Sequence, residues 1–242
     1  MSDIGSANAR MGHRPTRSGL RVDTEWNGVI RWGGLSLFGA GAILILFVAL
    51  VFGLGQALPV TARLVLEDPT LPSLLFELAA IGELLLMPAV LGLYHLLKSL
   101  NRTAIFLATS LWLLSVPLFL ASRAMIIATS QLSGPYAASN DAAARASYLA
   151  TAELAIQAQS ILSAMGLTLL SLATILLGVV LLKGALGRAL AVLVLASGIF
   201  TVSSAYQVLL GIPIVIPFIG LVLSAIWQVF VGARMVSLTR ST

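Results

Sequence analysis

The chain has no cysteine and only two histidines among its 242 residues. The first absence removes disulfides, thiolate catalysis, cysteine-ligated zinc, iron–sulfur clusters and covalently attached haem. The second removes a haem held by two histidines within one chain, because His13 lies in the polar N-terminal stretch and His95 near the end of an apolar run. Charge is scarce too. Asp, Glu, Lys and Arg make up 10% of the residues, against about 25% in soluble domains. No P-loop, zinc-protease motif, nucleophile elbow or complete dinucleotide fingerprint occurs. No aspartate lies in an apolar run, so an intramembrane aspartyl dyad is excluded, and no cofactor is expected.

Apolar residues are what the chain has in excess. They make up 59% of it, and the mean hydropathy is +1.02. A water-soluble globule of this length could not cover itself with so few charges. The expected fold class is all-α, a polytopic membrane protein built as a bundle of six transmembrane helices. The net charge of +5 does not point to nucleic acid, because the basic residues collect at helix ends on one expected side. The expected partners are the lipid bilayer and, as an alternative use of small-residue stripes, another copy or a membrane complex.

Residues 1–28 read as a disordered, basic cytoplasmic tail rich in Gly, Ser and Arg. Its arginines, Arg10, Arg14, Arg17 and Arg21, are an orientation signal or a docking patch for anionic lipid. No cleavable signal peptide is evident, since the first apolar run is longer than a signal core. Residues 29–239 form the membrane domain. A span needs about 20 helical residues to cross the hydrocarbon, and the expected spans are about 30–56, 73–98, 103–131, 148–183, 187–210 and 213–238. Pro59, Asp68-Pro69 and Pro72 bound the first loop, Asn101-Arg102 the second, Ser133-Gly134-Pro135 the third, Lys183-Gly184 the fourth and Gly211-Ile212-Pro213 the fifth. Short links make neighbouring helices antiparallel. The Ala-rich segment after Asn140 is a good helix former, capped by Asn140 or Asp141. The fourth helix therefore either protrudes or begins as a separate turn on the membrane surface. The two halves of the chain show no internal repeat.

With the N terminus in the cytoplasm, eleven basic residues fall inside: Arg10, Arg14, Arg17, Arg21, Arg31, Lys98, Arg102, Lys183, Arg188, Arg234 and Arg240. Only Arg63 and Arg145 fall outside, and Arg123 lies within a span. This bias puts both termini in the cytoplasm.

Ionisable groups within spans are costly and generally face the bundle interior. The candidates are Glu77, Glu83, Arg123 and Glu153. Counting rise along each helix places Glu77, Arg123 and Glu153 at one level in the outer half, with Gln157, Gln159, Tyr206 and Gln207 near by. Three readings follow for this cluster. A carboxylate neutralises Arg123 and fixes helix register; the cluster forms a vestibule for a polar ligand; or Arg123 snorkels to the headgroups. Glu83 lies about 15 Å deep, about 120° around the helix from Glu77. It is either a proton-relay site or a neutral glutamate hydrogen-bonded to Ser115 or Ser160. Pro88 should kink the second helix. His95 reads as interfacial, and neither it nor the rest of the chain suggests zinc. Ser160, Ala164 and Thr168, and Ser197, Thr201 and Ala205, form small-residue stripes for close packing. Trp26, Trp32 and Trp227 read as interfacial anchors, and Trp112 as lipid-facing or packed.

Three segments carry a family resemblance: GLYHLLKSLNR (92–102), LLKGALGRALAVLVLASG (181–198) and IWQVFVGARMVSL (226–238). They are similar in character to domain-of-unknown-function family 4386, uncharacterised six-span bacterial proteins. The resemblance implies a multi-pass protein of the plasma membrane and supplies no catalytic residues. Where that family often has a carboxylate in the last helix, this chain has Gln228. The function expected is that of a non-enzymatic structural or accessory membrane protein. The alternative is a small proton-coupled transporter or ligand sensor.

Overall fold

The structure is a computed structural model that describes residues 24–53, 60–183 and 186–240. Among these residues every regular element is helical. In chain order they are α1 (Asn27–Gly53), α2 (Ala62–Glu67), α3 (Thr70–Leu97), α4 (Arg102–Ser130), α5 (Ser133–Ala138), α6 (Ala142–Leu181), α7 (Arg188–Ala205), α8 (Gln207–Leu210) and α9 (Val215–Arg240). Six of them, α1, α3, α4, α6, α7 and α9, are long and apolar enough to cross a membrane. An uninterrupted helix satisfies its own backbone hydrogen bonds, which hydrocarbon demands.

The six long helices close into a ring. Each packs on two others, in the order α1, α3, α4, α6, α7, α9 and back to α1. Close approaches show the chain directions. Gly33 of α1 meets Gly92 of α3, while Gly82 of α3 meets Ile43 of α1. Gly34 meets Gly232 of α9, while Gly41 meets Ala225 and Gln228. Gly178 of α6 meets Leu195 of α7, while Gly198 meets Ile175 and Ser171. In each pair one position rises as the other falls, so the helices are antiparallel. Asn27 and Arg240 therefore lie at the same end, here called the terminal end.

The terminal half is solid. Ile30, Leu93, Leu97, Leu181, Val231 and Met235 are among its fully buried side chains. Trp112 and Trp227 meet edge to face there, with centroids 5.6 Å apart and planes at 69°. Trp227 is thus a core residue and not the interfacial anchor expected. Its indole Nε1 donates to Ser197 Oγ at 3.1 Å, which satisfies its polar atom inside the bundle. Trp32 is 69% exposed.

Element boundaries differ from the sequence expectation in four places. The helical region begins earlier than residue 29, with a 3-10 turn over Thr24–Trp26 leading into α1. Trp26 stacks on His95 of α3 (3.9 Å, 19°) and takes Lys98 over its ring, and these contacts anchor the turn. The remainder of the basic tail, Pro59 and Gly184 lie outside the described residues. The first loop contains α2, and α3 begins at Thr70 with Pro72 inside its first turn, where proline's missing N–H costs nothing. The fourth span is one continuous helix of 40 residues from the Asp141 cap, about 60 Å long, so it protrudes. The fifth stops at Ala205, resumes as α8 and closes at Gly211 in the left-handed region (φ 61°). Both α3 and α4 run unbroken through Pro88 and Pro117.

At the distal end a second, small cluster joins α2, α5 and α6 through Ala62, Leu66, Tyr136 and Ala152. Ser133 Oγ donates to the Leu66 carbonyl at 2.7 Å and ties α5 to α2. The protruding part of α6 is thereby braced.

Candidate functional site

Distal to the tryptophan pair the ring does not fill. It leaves a partly open cavity of about 170 Å³ to which all six long helices contribute. In the ring order α3 and α4 stand across from α7 and α9. The first two bring Glu83 and Arg123, and the second two bring Thr201, Ser204, Ser224 and Gln228. The walls between them, from α1 and α6, are apolar and include Ile43, Phe47 and Leu170. Two polar walls thus face each other across a greasy slot.

Arg123 binds Glu83. Its Nη2 donates to Glu83 Oε1 at 2.7 Å and its Nε to the same oxygen at 3.1 Å. Both side chains are largely withdrawn, at 17% and 11% exposure. The guanidinium also lies 5.3 Å from the Phe76 ring centroid and 5.8 Å from that of Phe119. Cation–π attraction strengthens where water is excluded. Glu83 Oε2 is buried and has no hydrogen-bond partner among the described residues. Gln228, 6% exposed, lines the same cavity and makes no side-chain hydrogen bond among the described residues. Glu83 and Gln228 each lie about 13 residues past the first residue of their helices, about 20 Å along.

The expected outer cluster is brought together only in part. Arg123 meets Glu83 rather than Glu77. Glu77 is exposed while Glu83 turns into the ring, and Arg123, about 10 Å before the end of α4 at Ser130, binds the deeper carboxylate. Glu77, Glu153 and Gln157 are exposed on the outside of the ring, and Gln207 is half-buried in α8. None of these four lines the cavity. The hydroxyls expected for Glu83 are used elsewhere: Ser115 donates to Trp112 O at 2.7 Å and Ser160 to Ile156 O at 3.0 Å. Of the two stripes, Ser197 and Thr201 face the ring interior. Ser197 Oγ lies 2.8 Å from Ser224 Oγ, and Thr201 Oγ1 donates to Ser197 O at 2.8 Å.

Sequence reasoning missed the role of the α7 and α9 polar wall. Thr201, Ser204, Ser224 and Gln228 recur at positions three and four apart within their helices. That spacing is the signal for one helix face. A further polar seam lies between α4 and α6, where Gln159 Nε2 donates to Ser122 Oγ at 3.2 Å and Ser122 lies 3.0 Å from Ser163 Oγ. Among the described residues, no group of three or more His, Asp or Glu stands close enough to hold a metal ion.

No family model, curated protein or solved structure matches this chain.

Proposed function

We propose that this chain is a non-enzymatic, multi-pass integral membrane protein whose helix ring is a receptacle for a small, polar-headed ligand. Both termini lie in the cytoplasm and the membrane is the plasma membrane, with the binding chamber toward the outside. Kinship with domain-of-unknown-function family 4386 belongs to the same proposal. The observation that carries the binding reading is that Glu83 Oε2, buried and without a hydrogen-bond partner among the described residues, shares one cavity with the Gln228 side chain. Leaving a polar group buried without a partner costs about 1–3 kcal/mol. A ring built only for architecture could place apolar side chains at both positions and be more stable.

A second reading, that of an accessory protein, is favoured by a different observation. The Glu83–Arg123 bond joins neighbouring helices and would hold the register of α3 on α4.

The two readings separate on Gln228→Leu. With benzyl alcohol as probe, tryptophan fluorescence of the purified full-length protein should report saturable binding, since Trp227 adjoins the cavity-lining Gln228 in sequence and packs on Trp112. Gln228→Leu should weaken that binding at least tenfold and leave folded yield unchanged or higher. Failure of intact wild-type protein to bind benzyl alcohol, benzoate or benzylamine would sink the receptacle reading.

A further inference from the structure

The binding reading leaves the ligand's charge open, and the cavity itself bears on it. Its lining holds two charged groups among the described residues. Glu83 can gain a proton. The Arg123 guanidinium stays cationic at any pH a folded protein experiences. The other helices that line the cavity, α1, α6, α7 and α9, contribute only apolar or neutral polar side chains. Among the described residues that line the cavity, no third charge is available to balance a ligand.

A net charge in an apolar chamber is expensive, and breaking a buried ion pair strands whichever partner is left. The two ways of breaking this one are not equivalent. A cationic ligand takes Glu83 away from Arg123, and the stranded guanidinium has no proton to shed. An anionic ligand takes Arg123 away from Glu83, and the stranded carboxylate regains neutrality by binding one proton. Of the two, only the anion reaches a neutral bound state. A carboxylate suits the forked donors of a guanidinium, and Arg123 now places both of its bonds on the single oxygen Oε1. The Gln228 amide, a donor and an acceptor at similar depth, suits a protonated Glu83 or the second oxygen of a ligand.

Size narrows the class. An apolar cavity of about 150 Å³ holds benzene, and this one measures about 170 Å³. Its apolar walls, with Ile43, Leu44, Phe47, Leu167, Leu170 and Leu221, call for a hydrocarbon body.

From these features we infer that the cavity binds a small monocarboxylate with an apolar body, roughly six to ten non-hydrogen atoms in all, and takes up one proton with each anion. The exchange balances: carboxylate, proton and the Glu83–Arg123 pair give the carboxylate–Arg123 pair and a neutral Glu83 carboxyl. No covalent bond changes except the O–H bond formed on Glu83.

The test uses the full-length protein in detergent, with benzoate as probe and benzyl alcohol and benzylamine as neutral and cationic counterparts of similar size. Benzoate affinity should rise about tenfold for each unit fall in pH between about 8 and 6. Calorimetry in buffers of different ionisation enthalpy should count one proton taken up per benzoate. Glu83→Gln keeps Arg123 charged, so benzoate binding should persist while its pH dependence disappears. If this variant fails to fold, the proton count on the wild type decides the matter alone. Benzoate binding without proton uptake, or benzylamine binding tighter than benzoate, overturns the inference. In that event Gln228-dependent binding of benzyl alcohol or benzylamine leaves the receptacle reading standing. If none of the three probes binds, both fall together.

Discussion

Arg123 illustrates what one side chain does when water is withheld. Its Glu83 bond, and the Phe76 and Phe119 rings beside it, replace solvation it would otherwise lack. Removing one partner of such a pair costs more than the pair's net worth, because the other charge stays buried. Glu83→Leu strands a guanidinium that cannot shed its charge and should therefore destabilise the bundle by about 3–5 kcal/mol. The double replacement Glu83→Leu with Arg123→Met should recover most of that loss. Thermal unfolding in detergent, read by tryptophan fluorescence, checks both; equal loss in the single and double variants would show that the charge was not the cause. Both residues were recognisable from sequence as ionisable groups in spans. Their partnership was not. Depth counted along an isolated helix ignores which way each residue faces in the bundle and where a long side chain leans. Glu77, six positions from Glu83, faces outward, since six residues turn the helix about 120° away.

At the scale of helices, glycine decides how close two elements come. A Cβ on Gly232 would stand 2.6 Å from Gly34 O and from Phe38 N, both backbone atoms that cannot step aside alone. Gly33 and Gly92 are similarly opposed: a Cβ added to either would stand within 3 Å of the other's Cα. These contacts hold α1 against α9 and α3 and so close the ring. Gly232→Ala should cost about 1–3 kcal/mol or more, as overpacking does. Gly134→Ala, with nothing within 4 Å of the added carbon, should stay within about 0.5 kcal/mol. Comparable melting temperatures for the two variants would contradict this packing account. The serine, threonine and alanine stripes were legible as small-residue faces, but the glycine contacts that close the ring were not. Many glycines occur in the spans, and only the partner helix shows which ones meet backbone. The helical start of α6 was legible from its Ala-rich segment and a cap at Asn140 or Asp141, while its continuity as one helix and its bracing by α2 and α5 were decided by the structure.

For the whole molecule, the even number of long apolar helices brings Asn27 and Arg240 to one end. The basic residues Arg31, Lys98, Arg102, Lys183, Arg188, Arg234 and Arg240 fall at that same end by helix direction. Tags at the two termini should both resist protease added outside sealed cells, while an epitope placed beside Asn140 should be accessible; termini of opposite accessibility would overturn the orientation. Composition by itself determined that the chain folds as apolar helices, because lipid accepts only backbone that bonds within its own segment. Charge asymmetry indicated a common side for both ends, and short links made the helices antiparallel. What the tertiary structure alone decided was closure into a ring, the pairing of Arg123 with Glu83, and the meeting of α7 and α9 polar groups across a cavity. The reason is physical. Periodicity tells a helix which face is polar, whereas the neighbour that covers that face is chosen by shape complementarity among six nearly uniform apolar rods, and that information is distributed over all of them.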